Sequence, residues 1–164
     1  MRKKRQLAIG LLLPFVLMLA GCQSTTGYYL GAKAEQETVT LLQDAVAAEQ
    51  HWQDLYVNVD YSVQQRGTLL VTEGVFTFAG YPQLNLTQVH DFKLKLFLLN
   101  RDNIVIDYFD IYRTLGQSLR VAMAFKKSVE ISPEVTALSF GYEGEFIDDI
   151  GARDVVWKLP KRNF

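Results

Sequence analysis

Residues 55–63 read Leu-Tyr-Val-Asn-Val-Asp-Tyr-Ser-Val, and this stretch decides the fold class. Its apolar side chains Val57, Val59, Tyr61 and Val63 recur at every second position. Successive side chains of an extended strand point to opposite faces, so these four share one face and the polar residues between them share the other. The stretch therefore predicts a β-strand with one buried face.

The same two-residue period recurs along the rest of the chain, interrupted by turn-forming residues. The clearest breaks are Gly-Tyr-Pro at residues 80–82, Asn-Arg-Asp-Asn at residues 100–103 and Ser-Pro at residues 132–133. Together with the first strand, the runs between these breaks give about seven strands, a number typical of an antiparallel sandwich. The predicted strands lie at residues 55–63, 68–78, 89–99, 104–111, 118–131, 135–146 and 155–159.

Residues 33–54 carry a helical pattern. They contain no Gly or Pro, and Val39, Leu42 and Val46 recur at helical spacing. We therefore predict one helix over residues 33–54. Because this helix precedes the strands and does not alternate with them, the pattern argues against a parallel α/β sheet.

These patterns together predict a mainly β fold. The first choice is an antiparallel β-sandwich of immunoglobulin or fibronectin-III type over residues 55–164, preceded by the N-terminal helix. The alternative is a small antiparallel sheet or barrel with one packed helix. The chain has one cysteine, so it lacks the Cys…Trp…Cys pattern of antibody domains, and the immunoglobulin comparison concerns the fold alone.

The first 22 residues have the three-part layout of a secretory signal. Residues 2–5 are basic, residues 7–20 are mostly apolar, and Leu19-Ala20-Gly21-Cys22 ends the segment with the single cysteine. A membrane-spanning helix needs about 20 apolar residues, and Pro14 would remove a hydrogen bond from its middle. A cleaved signal is therefore favoured over a transmembrane helix.

The ending Leu19-Ala20-Gly21-Cys22 resembles the lipobox of bacterial lipoproteins. The resemblance implies that residues 1–21 are a signal peptide and that Cys22 carries lipid on its thiol and its new amino terminus. Several acyl chains make such an anchor stable, whereas one chain binds only marginally. Residues 22–32 then form a lipidated tether. With Gln23 after the cysteine, the resemblance implies transport to the outer membrane of a Gram-negative host, with the domain facing the periplasm.

Cleavage of the signal makes the protein acidic. Removing the four basic residues of the signal from 17 leaves 13 lysines and arginines against 18 aspartates and glutamates, a formal net charge of −5. Nucleic-acid binding needs basic surfaces that displace counterions, so the mature chain is a poor candidate for it. Membrane contact is expected through the lipid on Cys22 and not through the charge of the protein.

The chain offers few residues for metal or nucleophilic chemistry. Its histidines are His51 and His90, and its cysteine is expected to be lipidated, which leaves no Cys/His zinc site. Neither the spacing of an EF-hand nor a Gly-x-Ser-x-Gly elbow occurs. Glu143 and Glu145 share a strand face at roughly 7 Å, as in inverting glycosidases, but such pairs are common on solvated strands. We predict a non-enzymatic protein with no metal or cofactor.

Four tyrosines lie outside the alternating runs and are the candidates for a partner-binding surface. Tyr28 and Tyr29 lie in the tether, Tyr81 stands beside a proline, and Tyr112 follows a predicted strand. Tyrosines on loops are favoured at protein interfaces. The alternatives are packing on the domain edge and, for the tether tyrosines, a position at the membrane interface.

The sequence thus predicts an accessory module that binds a protein in an envelope assembly. The first alternative is a carrier of lipid or another apolar ligand, in a cavity lined by the inward rows. The second, disfavoured, is a cell-wall hydrolase that uses the paired glutamates. Lys93 and Lys95, on one predicted strand, are expected to protect a sheet edge from further pairing.

Overall fold

The computed structural model describes residues 28–80, 86–116 and 118–162. The predicted signal peptide, Cys22 and Tyr81 lie outside the described residues. Within the described part, no helix is both long and apolar enough to span a membrane. A 3-10 turn covers Gln36–Thr38, and one short helix, α1, covers Leu42–Ala47. The nine strands of this part are β1 (Thr40–Leu41), β2 (Gln50–Gln53), β3 (Val57–Arg66), β4 (Leu69–Phe78), β5 (Gln88–Leu99), β6 (Val105–Leu115), β7 (Met123–Glu130), β8 (Ala137–Ile147) and β9 (Arg153–Lys158).

The strands form two antiparallel sheets. The first sheet has the order β1-β8-β5-β6, with β9 also paired to β8, and the second has the order β2-β3-β4-β7. The chain passes from one sheet to the other between β1 and β2, between β4 and β5, between β6 and β7, and between β7 and β8. The predicted mainly β, antiparallel fold is confirmed, and the seven predicted strands correspond to β3 through β9.

The main core lies between the sheets and consists largely of aromatic rings. Phe92 of β5 is fully buried. Its ring stacks on Phe76 of β4 at 5.4 Å and on Tyr142 of β8 at 5.9 Å, and it meets Phe78 edge-on at 4.8 Å. Rings from both sheets therefore converge on Phe92, and burial of their apolar area holds the two layers together.

The predicted helix over residues 33–54 is wrong for most of its length. Only the six residues of α1 are α-helical, and β1 and β2 flank them. β2 pairs with β3, and this pairing turns Trp52 into the core with 4% of its surface exposed. Helix propensity is a weak preference, and a short helix is marginal by itself. Pairing of β2 with β3 and burial of the Trp52 indole outweigh this helix propensity.

The chain ends of the described part cover the outer face of the first sheet. Residues 29–39 and 158–161, which we call the terminal layer, lie over Phe97, Leu99 and Ala137 and form a second, smaller core with them. Lys33 of this layer bridges both the β5–β6 turn and the C-terminal segment. The layer therefore joins the two ends of the domain.

The predicted tether, residues 22–32, ends earlier than expected. Tyr29 and Ala32 are buried, and the Gly31 and Val105 amides each bond across to the other segment at 2.9 Å. Burial of their apolar surface against the sheet is more favourable in free energy than its exposure to water. Residues from Tyr29 onward thus belong to the domain.

The exposed edge of the first sheet is protected by a side chain that the sequence analysis did not identify. β6 is the last strand of this sheet, and Asp107 Oδ1 accepts the backbone N–H of Tyr108 at 2.8 Å. Lys93 and Lys95 do not have the predicted role, because β5 lies between β8 and β6. Their alternation with apolar residues placed them correctly on one face, but it carried no information about strand order.

A partly buried hydrogen bond ties the β2–β3 turn to the first sheet. The fully buried Tyr142 donates its hydroxyl to Asp54 Oδ1 at 2.6 Å, and the same oxygen accepts the Tyr56 N–H at 2.9 Å. Burial, and next the hydrogen bond to Asp54, raise the pKa of Tyr142 above its usual value, so the phenol stays protonated and donates.

Replacing Tyr142 by phenylalanine is expected to destabilise the domain by about 1.5–3 kcal/mol, the usual contribution of a hydrogen bond to a charged group. The ring stays, so packing is preserved and the loss reports on the hydroxyl. Urea unfolding of wild-type and Tyr142→Phe protein measures it. An unchanged midpoint would show that Asp54 finds an equal partner in water.

Candidate functional site

A groove on the outer face of the first sheet brings two of the predicted tyrosines together with charged side chains. Its volume is about 580 Å³. We call it the aromatic groove, and its main lining residues are Tyr28, Tyr29, Lys95, Tyr108, Lys127 and Glu143.

Lys95 forms the floor of the aromatic groove. Its side chain is only 7% exposed, and its ammonium lies 2.6 Å from Asp110 Oδ1 and 3.5 Å from Glu143 Oε1. Register places Lys95 of β5 directly opposite Asp110 of β6. A buried charge is tolerated only where it is paired, so the two carboxylates fix the position of this ammonium.

Tyr29 covers the floor from the terminal layer. Its ring packs edge-on against Phe97 at 5.4 Å and Tyr108 at 5.0 Å, with the Lys95 ammonium 5.6 Å from the ring centroid. Burial, and next the charge of Glu143, raise the pKa of Tyr29 to about 12. The phenol therefore remains a hydrogen-bond donor at neutral pH.

The two glutamates considered for hydrolysis take part in ion pairs across the strands. Glu143 Oε1 lies 3.0 Å from the Lys93 ammonium, besides its contact with Lys95, and Glu145 Oε1 lies 2.8 Å from the Arg153 guanidinium. Each carboxylate is thus engaged by a cation of a neighbouring strand. This arrangement stabilises the face of the sheet.

The outer face of the second sheet carries a second, more acidic depression of about 430 Å³. Glu49, Asp60 and Glu73 supply three carboxylates to its lining, together with His51 and the half-exposed Val75. We call it the His51 depression. His51 Nδ1 lies 2.6 Å from Asp60 Oδ1, and its Nε2 lies 3.1 Å from Gln53 Oε1. Both ring nitrogens face acceptors, an arrangement that suits the protonated ring.

The pKa of His51 is expected to lie above its ordinary value of 6.5, because the hydrogen bond to Asp60 and then that to Gln53 favour the imidazolium. The resulting stabilisation is present below about 6.5 and is lost as pH rises through the raised pKa. This stabilisation is small, since the His51–Asp60 pair is exposed.

NMR titration of the ring protons measures the shift in the pKa of His51, with a His90→Gln variant for assignment. Asp60→Asn is expected to lower the pKa, and an unchanged value would contradict the assignment.

The predicted partner-binding tyrosines have different surroundings. Tyr28 is 73% exposed at the rim of the aromatic groove, whereas Tyr29 is 8% exposed beneath it. Tyr112 lies in β6 and not in the predicted loop, and its ring packs edge-on against Phe76 at 4.9 Å, at the margin of the main core. Tyr81 lies outside the described residues.

Several residues of these surfaces were missed from the sequence. Lys95 and Tyr108 come from β5 and β6 of the first sheet, and Lys127 comes from β7 of the second. Only the register of β5 with β6 and the proximity of β6 to β7 bring them together. Trp157 was assigned to a strand but not to a surface, and it is 64% exposed. Its alternation with the buried Val156 could have indicated an outward ring.

Across the described ranges, no group of three or more His, Cys, Asp or Glu side chains is arranged to hold a metal ion. In comparisons with protein-family models, curated proteins and solved structures, the chain matches none of them.

Proposed function

We propose that the chain is a lipoprotein of the outer membrane, anchored through Cys22, facing the periplasm and acting as a non-enzymatic module that binds a protein partner. One observation carries the proposal. The described chain begins at Tyr28, six positions after Cys22, on the outer face of the first sheet. The outer face of the second sheet, with the His51 depression, therefore points away from the anchor.

The His51 depression has the composition of a partner-binding surface. Within the described residues, Asp60 is paired with His51 and Glu73 with Lys126, whereas Glu49 forms no ion pair and suits a basic side chain of a partner. Val75 offers apolar area beside it. Interfaces commonly combine a polar rim with a few apolar contacts, and complementary charge raises the rate of association.

Photo-crosslinking in intact cells tests the partner site. A benzoyl-phenylalanine at Val75, inside the His51 depression, is expected to trap one protein of discrete mass. The same residue at Leu55, which is 76% exposed on the β2–β3 turn, is the matched control and is expected to trap none. Equal products from both positions, or none from Val75, would overturn the assignment of this depression.

Replacing Cys22 by serine tests the anchor. The variant is expected to leave the membrane fraction or to retain its signal peptide, because the acyl chains supply the stable attachment. Fractionation and mass spectrometry of the mature chain measure both outcomes. A Cys22→Ser protein of mature size that stays with the membrane would refute lipid anchoring.

The two alternative functions have less support. A lipid carrier needs a cavity lined by the inward rows, whereas most residues that line the two surfaces described above face outward or belong to the terminal layer. A hydrolase would use Glu143 and Glu145, and both are engaged in ion pairs. Binding of a partner at the His51 depression would leave the ion pairs of Glu143 and Glu145 intact.

We also propose the fibronectin-III type for the sandwich. When β3 through β9 are lettered A, B, C, C′, E, F and G, the sheet orders read A-B-E and C′-C-F-G. Immunoglobulin-like sandwiches pair B with E and C with F in the same way. Nuclear Overhauser contacts between Leu96 and Phe109, register partners on β5 and β6 and thus on strands C and C′, are expected for this order. Their absence would contradict it.

A further inference from the structure

We infer that the outer face of the first sheet lies on a phospholipid surface, with Trp157 and Tyr28 among the headgroups. The inference rests on the proposed lipidation of Cys22 and adds an orientation to it. It is argued from the maximum length of the segment between Cys22 and Tyr28, from the exposed aromatic rings and from the cations of this face.

The reach of the chain brings this face close to the membrane. Tyr28 lies six positions after Cys22, and at 3.3–3.6 Å per residue the backbone between these two spans at most about 22 Å. The Tyr28 ring packs edge-on against Tyr29 at 5.0 Å, and Tyr29 is fixed on Phe97 of β5. The second sheet lies about 10 Å further away, the usual spacing of packed sheets.

Exposed rings stand on the same face. Trp157 of β9 is 64% exposed and lies opposite Glu143, which lines the aromatic groove. Tyr28 is 73% exposed, and Leu30 and Val155 add further exposed apolar area. Trp and Tyr concentrate at the membrane–water interface, because their rings prefer the acyl boundary and their polar atoms prefer the headgroups.

Cations accompany these rings. Lys33 and Lys161 pair through their backbones across the terminal layer, and the Arg162 guanidinium donates to the Leu30 carbonyl at 2.8 Å. The Lys161 ammonium lies 3.2 Å from Glu35 Oε1. Within the described ranges, neither Lys33 nor Lys127 forms an ion pair.

The carboxylates of this face are balanced by neighbouring cations. Asp110, Glu143 and Glu145 are each paired with a lysine or arginine. The His51 depression on the opposite side is lined by three carboxylates, of which Asp60 pairs with His51 and Glu73 with Lys126, and Glu49 forms no ion pair within the described residues. Lipid phosphates attract the basic side of such a molecule, although its net charge is acidic.

The two tryptophans provide the test, because Trp52 is buried in the core and Trp157 is exposed. The lipidated mature chain is reconstituted into vesicles of phosphatidylethanolamine and phosphatidylglycerol with brominated acyl chains. In a Trp52→Phe variant, Trp157 emission is expected to shift to shorter wavelength and to fall about twofold relative to unbrominated vesicles. Trp157→Phe, which leaves only Trp52, is expected to show neither change.

A tryptophan on the opposite face is the matched control. Ser128 is exposed on β7 of the second sheet, so a Ser128→Trp chain that lacks both native tryptophans is expected to stay accessible to aqueous iodide. If Trp52→Phe does not fold, the wild-type chain gives the same reading, since the signal of Trp52 is constant.

Flotation separates failure of the orientation from failure of the anchor. Protein that floats with the vesicles while Trp157 remains quenched by iodide overturns the orientation and leaves the anchor standing. Equal bromine quenching at positions 128 and 157 also overturns it. Protein that does not float overturns the anchor and this inference together. The vesicles contain only phospholipid, so quenching of Trp157 cannot come from a protein partner.

Discussion

Replacing Phe92 by alanine is expected to lower the free energy of unfolding by about 3–5 kcal/mol. Phe92 is fully buried, and its ring contacts Phe76 and Phe78 of the second sheet as well as Tyr142 of the first. Alanine would leave a cavity where the two layers meet. Because neither sheet can collapse into that space without moving its own strands, little of the lost contact is recovered.

Urea unfolding measures this loss, and a midpoint lower by about 2 M is expected for a domain of this size. Leu115 provides the control, since it is an apolar residue of β6 with 67% of its surface exposed. Leu115→Ala is expected to change stability by less than about 0.5 kcal/mol. Equal midpoints for Phe92→Ala and Leu115→Ala would show that the convergence of rings is not the main source of stability.

Gly74 is the position where adding a single methyl group is expected to cost most. A Cβ at Gly74 would overlap the backbone oxygen of Asp60 and lie 2.9 Å from the Cα of Tyr61. Both are main-chain atoms of β3, the pairing partner of β4, so no side chain can rotate away to make room. We expect Gly74→Ala to destabilise the domain by about 3 kcal/mol, in the upper part of the range for overpacking.

Gly67 separates this steric effect from the general effect of losing a glycine. It lies in the β3–β4 turn at φ +62°, with no atom within 4 Å of an added Cβ. Gly67→Ala is therefore expected to cost only the strain of a left-handed backbone, about 1 kcal/mol. Thermal unfolding of both variants gives the comparison. A smaller loss at Gly74 than at Gly67 would show that β3 and β4 separate easily there.

The strands were predictable because each is a local pattern. The apolar face read from residues 57–63 is the face that the structure buries, and the turns fall where Gly, Pro and Asn cluster. The helix prediction was wrong because the conformation of residues 33–54 depends on contacts with strands elsewhere in the chain. Trp52 has a partner surface only once β3 and β8 are in position, and a local window cannot detect that.

The candidate surfaces were predictable only in part. Tyr28 was identified because it lies outside the alternating runs, and it is exposed at the rim of the aromatic groove. The floor was not identified, because Lys95 reads as an ordinary outward lysine until Asp110 and Glu143 come into register beside it. Tyr112 was assigned to a loop because Gly116 marks a break, yet β6 continues to Leu115.

The hydrogen bond from the Tyr108 amide to Asp107 matters most where many copies of the chain lie side by side on one surface. Molecules held in one plane meet at far higher effective concentration than molecules free in solution. An open sheet edge would then serve as a template for fibril-like stacking of neighbouring copies. With the Tyr108 donor already occupied by Asp107, β6 offers one hydrogen bond fewer to a second chain. On the last strand of the second sheet, β7, Lys127 forms no ion pair within the described residues and adds mutual repulsion between copies. If the chain is lipid-anchored as proposed, these two features favour separate, folded molecules even at high density in a leaflet.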